Sequence, residues 1–196
     1  MNLNSYTHIY YDLFASYTNQ EKPGIFLDIG CNLPGDGSNV TKLLEEGWTG
    51  TGVDIQDYGQ AWSKYPGMKF LMLDVSKKSE MNHVFKNLPK VIDFLSFDID
   101  HIGLIGCSYI DFEKFKFRTI CMEHDGYRFP GYEAGQSEIL KQAGYVKVLK
   151  TPADHFWVHP DLIPSLILTK LQTISTFCLN DKEVREELLR IINDKQ

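Results

Sequence analysis

The sequence predicts an α/β fold: a mostly parallel sheet with helices on both of its faces. Short apolar runs alternate with segments of helical spacing, an order that is typical of parallel strands joined by right-handed helical crossovers. Glycine turns or acidic residues follow most of the apolar runs, as expected where strands end at a polar edge. The chain has 196 residues, of which 43% are hydrophobic, and this suffices for one domain with a sizeable core.

The first part of the chain has the order helix, strand, glycine turn, helix. An amphipathic helix is predicted over Leu3–Tyr17, because apolar side chains recur there at helical spacing. Pro23 and Gly24 break it, and the apolar run that follows predicts a strand over Ile25–Ile29. Helical spacing resumes over Ser38–Glu46, which therefore begins just beyond the glycine turn.

The rest of the chain repeats this alternation and ends in helices. Further strands are predicted over Thr51–Ile55, Met68–Leu73, Val91–Phe97, Phe117–Met122, Tyr145–Leu149 and His155–Val158. Helices are predicted over Asp57–Lys64, from an N-cap at Ser76 to Asn87, and over Tyr109–Phe115, Glu133–Ala143, Asp161–Leu179 and Lys182–Ile192. We expect a single domain over 1–196, with an N-terminal helix in 1–22, a core in 23–158 and a helical extension in 159–196.

Polar residues cluster where the predicted strands end. In chain order they are Asp28 and Gly30, Asp54, Asp74, Asp98 with Asp100 and His101, and Glu123 with His124. Parallel strands bring their carboxyl ends to one edge, and ligands of such sheets bind in the crevice beyond it. A strand, a tight glycine turn and a helix N-terminus also bring backbone close to a nucleotide-like ligand. We interpret this edge as a cofactor site.

Two common nucleotide motifs are absent from the glycine turn. A dinucleotide site would show G-x-G-x-x-G after the first strand, but Gly30 is followed by four other residues before Gly35 and Gly37. A P-loop would need Gly-Lys-Ser/Thr, which is also missing. NAD-dependent reduction is therefore disfavoured.

The pattern Asp28-x-Gly30-x-Asn32, followed by Asp54 and Asp74, resembles the class I methyltransferases that use S-adenosylmethionine. The resemblance implies a Rossmann-like class I methyltransferase fold with a mostly parallel seven-stranded sheet, here with extra C-terminal helices. It also implies that Asp54 accepts both ribose hydroxyls and that Asp74 lies near the adenine amine. A carboxylate that accepts hydroxyl protons forms charge-assisted hydrogen bonds, each worth roughly 1.5–3 kcal/mol.

Four motifs in order are similar to those of the FkbM-type methyltransferases, over about 25–158. They are Phe26-Leu27-Asp28-Ile29-Gly30-Cys31-Asn32, Ile92-Asp93-Phe94-Leu95-Ser96-Phe97-Asp98-Ile99-Asp100, Thr119-Ile120-Cys121-Met122-Glu123-His124 and Ile139-Leu140-Lys141-Gln142-Ala143-Gly144-Tyr145. Two features depart from that family: one extra residue in the glycine turn, with Pro34 before Gly35, and His101 and Gly103 where the family has a glycine and an acid.

The resemblance implies a set of cofactor-binding residues, and two of them have an alternative structural role. The set is Asp28, Gly30, Asn32, Gly35, Ser38, Asp54, Ile55, Asp74, Val75 and Asp98. Asp28 could instead accept hydrogen bonds from the amides of the glycine turn. Ser38 could serve as the N-cap of the following helix.

The candidate catalytic residues are His101, Asp98 and Asp100. Methyl transfer to a hydroxyl requires removal of the hydroxyl proton, and His101 is our candidate for the base. The alternative is that His101 only hydrogen-bonds a loop carbonyl. Asp98 and Asp100 alternate along an extended chain and could hold Mg²⁺ with Glu123, although we assign no metal ligand on that basis.

The loop after the fifth strand holds the candidate substrate contacts His124, Tyr127 and Arg128. We expect O-methylation of a small acceptor, such as a sugar-containing metabolite. A Mg-dependent O-methyltransferase and an inactive methyltransferase-like binding module stay open as alternatives. The net charge of -6 and the pI near 5.5 disfavour nucleic acid as a partner. No signal peptide or membrane-spanning run is evident, so we expect a cytoplasmic protein.

Overall fold

The fold is built on a seven-stranded sheet. The structure, a computed structural model, describes residues 9–19, 23–35, 38–174 and 180–193. Its strands are β1 (Ile25–Ile29), β2 (Thr49–Asp54), β3 (Met68–Met72), β4 (Val91–Phe97), β5 (Lys116–Glu123), β6 (Val146–Lys150) and β7 (Asp154–Val158). They lie in the order β3-β2-β1-β4-β5-β7-β6. β1 to β5 are parallel, whereas β7 pairs antiparallel with both β5 and β6. The predicted mostly parallel sheet is confirmed.

Eight helices accompany the sheet within the described ranges. They are α1 (Ile9–Thr18), α2 (Thr41–Glu45), α3 (Gly59–Trp62), α4 (Lys78–Val84), α5 (Gly103–Ser108), α6 (Tyr132–Gln142), α7 (Ser165–Gln172) and α8 (Asp181–Asn193). Short 3₁₀ turns lie at Phe85–Asn87, Asp100–Ile102 and Pro160–Leu162. No helix in the described ranges combines the length and the apolar character needed to cross a bilayer.

Alternation along the central strands builds one apolar core on each face of the sheet. Phe26 and Phe94 point to the face that is covered by α1, α2, α7 and α8. Leu27 and Leu95, each one residue further along, point to the face covered by α4, α5 and α6. Successive strand residues face opposite sides, and a sheet buried on both sides therefore reads as a continuous apolar run. The C-terminal helices α7 and α8 contribute buried side chains to the first of these cores.

The helix predicted over Tyr109–Phe115 is wrong. The chain forms α5 earlier, directly after the 3₁₀ turn, and Tyr109 is its C-cap. Close packing explains why α5 has glycine at two positions: a Cβ on Gly106 would come within 2.8 Å of Ile99, and one on Gly103 within 3.0 Å of Gln136. Glycine has low intrinsic helix propensity, so close packing overrides the local signal here.

Two further helix boundaries also differ from the prediction. Asp161–Leu179 is interrupted because Pro164 separates the 3₁₀ turn from α7, and residues 175–179 lie outside the described ranges. Ser76 is not an N-cap, since α4 begins at Lys78 with Lys77 as N-cap, and the Ser76 hydroxyl donates to Asp74 instead. Residues 3–8 of the predicted first helix likewise lie outside the described ranges.

Candidate functional site

A cavity of about 410 Å³ lies beyond the carboxyl ends of β1, β2 and β4, where the strand order reverses. This is the size and place of a small-molecule site in an open α/β sheet. Ten of the predicted site residues line it: Gly30, Asn32, Ser38, Asp54, Ile55, Asp74, Val75, Asp98, Asp100 and His101. Asn39, Gln56 and Tyr58 line it as well, although no pattern in the sequence predicted this role for them.

The glycine turn follows β1 and packs against the ends of β2 and β4. Gly30 has φ +86, and a Cβ there would overlap the carbonyl oxygen of Asp98. The amides of Gly30 and Cys31 both donate to the carbonyl of Val53, at 2.8 and 3.1 Å. Only glycine combines this positive φ with so close an approach of β4. The turn is therefore held rigidly at the floor of the cavity.

Asp54 ends β2 and faces the glycine turn. One carboxylate oxygen accepts a hydrogen bond from the amide of Asn32 at 3.0 Å, and the other accepts one from the amide of Gln56 at 2.9 Å. The Trp62 indole donates to the carbonyl of Asn32 at 2.8 Å and gives the turn a second side-chain contact. Each carboxylate oxygen has a further lone pair, so Asp54 can accept two more protons from a ligand.

Asp74 lies at the rim of the same cavity as a stabilised anion. Its Oδ1 accepts hydrogen bonds from the amide and the hydroxyl of Ser76, at 3.1 and 2.5 Å. Lys77 forms an ion pair with it at 3.1 Å. The Ser76 hydroxyl, followed by Lys77, lowers the pKa of Asp74 below its ordinary value. Asp74 is therefore ionised at neutral pH.

Asp28 lies beneath the cavity instead of lining it. Its side chain is fully buried, and burial raises its pKa to about 7. Ser96 and Asn39 lie beside it and moderate this shift, but they hydrogen-bond to each other at 2.8 Å. Neither Asp28 oxygen accepts a regular hydrogen bond within the described ranges, which speaks against the alternative of turn amides. The predicted cofactor contact stays a prediction, because the side chain is fully buried and does not line the cavity.

Gly35 and Ser38 lie on the segment between the glycine turn and α2. Gly35 does not line the cavity, and its amide donates to the Thr41 hydroxyl at 3.0 Å. The Ser38 hydroxyl accepts hydrogen bonds from the amides of Val40 and Thr41, at 3.3 and 3.2 Å. Ser38 thus satisfies amides at the start of α2, although the helix itself begins at Thr41.

Asp98 and Glu123 form a pair of facing carboxyl groups at the ends of β4 and β5. Burial raises the pKa of both, and their mutual repulsion when both are ionised raises the pKa of Glu123 further. Asp98 lines the cavity, and Glu123 lies behind it.

Glu123 also belongs to a carboxylate cluster with Asp100 and Asp125. One oxygen from each lies within 4.8 Å of the others, a spacing that a hard cation could bridge. Asp125 is 1% exposed, and neither of its oxygens accepts a hydrogen bond from the described residues. These buried acceptors fit a divalent cation. The sequence predicted Asp98 in such a site, but the structure places Asp125 there instead.

His101 lies at the mouth of the cavity with an exposed side chain. Its ring lies 6.4 Å from the ring of Phe129, centroid to centroid. Neither ring nitrogen forms a hydrogen bond within the part of the chain that the structure describes, so the alternative of a loop carbonyl partner is not realised. The His101 ring therefore faces the cavity without a hydrogen-bond partner among the described residues.

His124 is only 2% exposed, and both of its ring nitrogens are engaged. Its Nδ1 accepts a hydrogen bond from the Gly126 amide at 3.0 Å, so the proton lies on Nε2, which is 3.2 Å from the carbonyl of Thr151. Burial lowers the pKa of His124. This geometry speaks against the predicted substrate contact. Tyr127 and Arg128 are exposed on the loop beside the cavity but do not line it.

No protein-family model and no curated protein sequence matches this chain. Solved structures do match, among them three of MycE, a methyltransferase from the mycinamycin biosynthetic pathway, each with a TM-score of 0.55. One, with Mg, SAH and mycinamycin VI, is 15% identical and covers 81% of this chain and 50% of MycE. Two crystal forms with Mg and SAH are each 14% identical; they cover 77% and 86% of this chain and 48% and 55% of MycE.

This chain spans about half the length of MycE. At such low identity the likeness is evidence of the fold alone. It agrees with the sheet order and the helices described above, and it confirms the predicted fold class. The chain therefore has the Rossmann-like fold of the class I methyltransferases, with extra helices at its C-terminal end.

Proposed function

We propose that this protein is an S-adenosylmethionine-dependent methyltransferase that methylates a hydroxyl of a sugar-containing or other small metabolite. The observation that carries the proposal is the shared cavity of Gly30 and Asp54. The Asp54 carboxylate faces the glycine turn and retains lone pairs for two ribose hydroxyls. Similar structures of MycE contain SAH, the demethylated form of that cofactor.

The other cavity residues suit the remaining parts of the cofactor. Ile55 and Val75 present apolar surface from the ends of β2 and β3, where an adenine ring would pack, and Asp74 supplies an acceptor for its amine. The Gly30 turn, with Asn32 and Ser38, lines the side assigned to the methionine part. Asp98 also lines the cavity, and we infer that it accepts a hydrogen bond from the amino group of that part.

His101 is our proposed base for the reaction. S-adenosylmethionine supplies a methyl group that is already activated, so most of the work of the protein is to position the acceptor in line with it. His101 at the cavity mouth accepts the hydroxyl proton as the acceptor oxygen is methylated. Asp98 and Asp100 orient the acceptor, and Tyr127 and Arg128 contact it from the loop after β5.

A second candidate is the metal-dependent form of the same reaction. The cluster of Asp100, Glu123 and Asp125 favours it, because the buried Asp125 oxygens lack hydrogen-bond donors. A cation held by these three residues would acidify an acceptor hydroxyl and would lessen the need for a base. Loss of turnover in a chelator, with recovery on addition of Mg²⁺, separates this candidate from catalysis by His101 alone.

Calorimetric titration with S-adenosylhomocysteine tests the proposal. We expect binding with a Kd on the order of 10 µM, and no heat from NADH or ATP under the same conditions. Folded protein that gives no heat with S-adenosylhomocysteine refutes the proposal. Mass spectrometry of a panel of glycosides, incubated with the cofactor and the protein, then identifies the acceptor. Binding of the cofactor without methylation of any acceptor supports a binding module instead.

A further inference from the structure

Arg128 is a cation that already lies on the carboxylate cluster. Its Nη1 is 3.2 Å from Asp100 Oδ1 and 3.7 Å from Asp125 Oδ1. It thereby joins the 3₁₀ turn after β4 to the loop after β5. Within the described ranges, no other basic side chain forms an ion pair with Asp100, Glu123 or Asp125.

The guanidinium satisfies the cluster only in part. Only the 3.2 Å contact with Asp100 is a hydrogen bond, and Asp125 stays without a donor although its side chain is 2% exposed. The Arg128 side chain is 53% exposed, and its guanidinium lies 5.2 Å from the centre of the Tyr127 ring. A buried carboxylate without a donor is costly, whereas an exposed arginine is inexpensive to move. The cluster therefore favours a smaller cation that reaches all three carboxylates.

We propose that Arg128 and a hard divalent cation, such as Mg²⁺ or Mn²⁺, occupy this cluster alternately. The proposal rests on the second candidate function above. An ion bound to Asp100, Glu123 and Asp125 lies 2.0–2.6 Å from their oxygens, close to where Nη1 approaches two of them. Two cations cannot share these oxygens without strong repulsion. Binding of the ion releases Arg128, which then lies beside the cavity mouth.

Titration with Mn²⁺ tests the exchange, and the electron paramagnetic resonance signal of the free ion measures how much of it is bound. Arg128→Gln removes the competing cation, and we expect it to bind Mn²⁺ at least about tenfold more tightly than the unmodified chain. Arg190→Gln is the matched control, since Arg190 is 52% exposed, pairs with Glu187 on α8 at 2.7 Å and lies outside the cluster. We expect it to leave the affinity for Mn²⁺ unchanged.

Several results would overturn the exchange. The first is that Arg128→Gln and the unmodified chain bind Mn²⁺ with equal affinity. The second is that neither binds at about 1 mM Mn²⁺. The third is that Arg190→Gln gains as much affinity as Arg128→Gln, which would indicate a general effect of net charge. Tight binding that survives Asp125→Asn, in protein shown to be folded by circular dichroism, would also place the ion elsewhere. Titration of the same preparations with S-adenosylhomocysteine separates failure of this inference from failure of the proposed function.

Discussion

Replacing Asp54 by asparagine should abolish most of the affinity for S-adenosylhomocysteine. The carboxylate would lose its charge and one of its two acceptor oxygens, while the size of the side chain would stay the same. The new amide group would also face a backbone amide, that of either Asn32 or Gln56, where an acceptor oxygen is now. The substitution therefore affects the ligand contacts and the shape of the glycine turn together.

The magnitude follows from the hydrogen bonds that are lost. One charge-assisted hydrogen bond to a ribose hydroxyl is worth roughly 1.5–3 kcal/mol, which corresponds to about a 10- to 150-fold increase in Kd. The loss of one amide contact should lower the free energy of unfolding by about 1 kcal/mol. The protein should therefore stay folded while its affinity falls.

Calorimetry with S-adenosylhomocysteine and circular dichroism of the same samples measure both effects. Asp57→Asn is a matched control, because Asp57 lies on the same loop, accepts a hydrogen bond from the Gly59 amide at 3.0 Å and does not line the cavity. The amide oxygen of the new asparagine can still accept that hydrogen bond, so Asp57→Asn should keep both its stability and its affinity. If Asp54→Asn binds as well as Asp57→Asn, the assignment of Asp54 to the ribose is wrong.

Three further predictions concern the floor and the mouth of the cavity. Gly30→Ala should lower the free energy of unfolding in urea by about 3 kcal/mol or more, because its Cβ overlaps the Asp98 carbonyl. Gly144→Ala has a similar φ of +89 but open space around it, so it should cost only about 1 kcal/mol; equal losses would contradict the steric argument. The pKa of Asp28 is higher in the folded than in the unfolded chain, so protonation of Asp28 stabilises the fold. This contribution is fully present below about pH 4 and is lost as the pH rises through about 7. Asp28→Asn should therefore raise Tm at pH 8 and reduce the fall in Tm between pH 5 and 8. If the fall in Tm is the same in the variant, other groups cause it. His101→Ala should leave the affinity for S-adenosylhomocysteine unchanged and lower kcat by about 10²- to 10⁴-fold, whereas unchanged kcat would exclude His101 as the base.

The central strands could be predicted because their signal is local. β1, β4 and β5 are largely buried on both faces, so each reads as a mainly apolar run, and their positions agree with the prediction to within a residue or two. α5 could not be predicted in the same way. Gly103 and Gly106 have low helix propensity, and the neighbours that leave no room for a larger side chain come from other segments of the chain, so the local pattern does not indicate a helix there.

The candidate site residues show the same contrast between positions that the local sequence predicts and positions that it does not. Asp54 ends β2 and Asp74 lies two residues beyond the end of β3, and parallel topology brings such positions to a common edge. Asp28 lies one residue before the end of β1, and its side chain is buried beside Ser96 of the neighbouring strand. A shift of one residue along a strand reverses the side-chain direction, so proximity in sequence to a glycine turn does not ensure contact with a ligand.

By itself the sequence determined the fold class, the strand ends and the carboxylates that gather there, because periodicity and topology are properties of short segments. Only the tertiary structure decided which of these groups meet. It buried His124 against Thr151, left His101 exposed, and brought Asp100 and Asp125, 25 residues apart, to the same arginine. Side-chain directions in loops depend on packing between distant segments, and that packing has no signature in any single stretch of sequence.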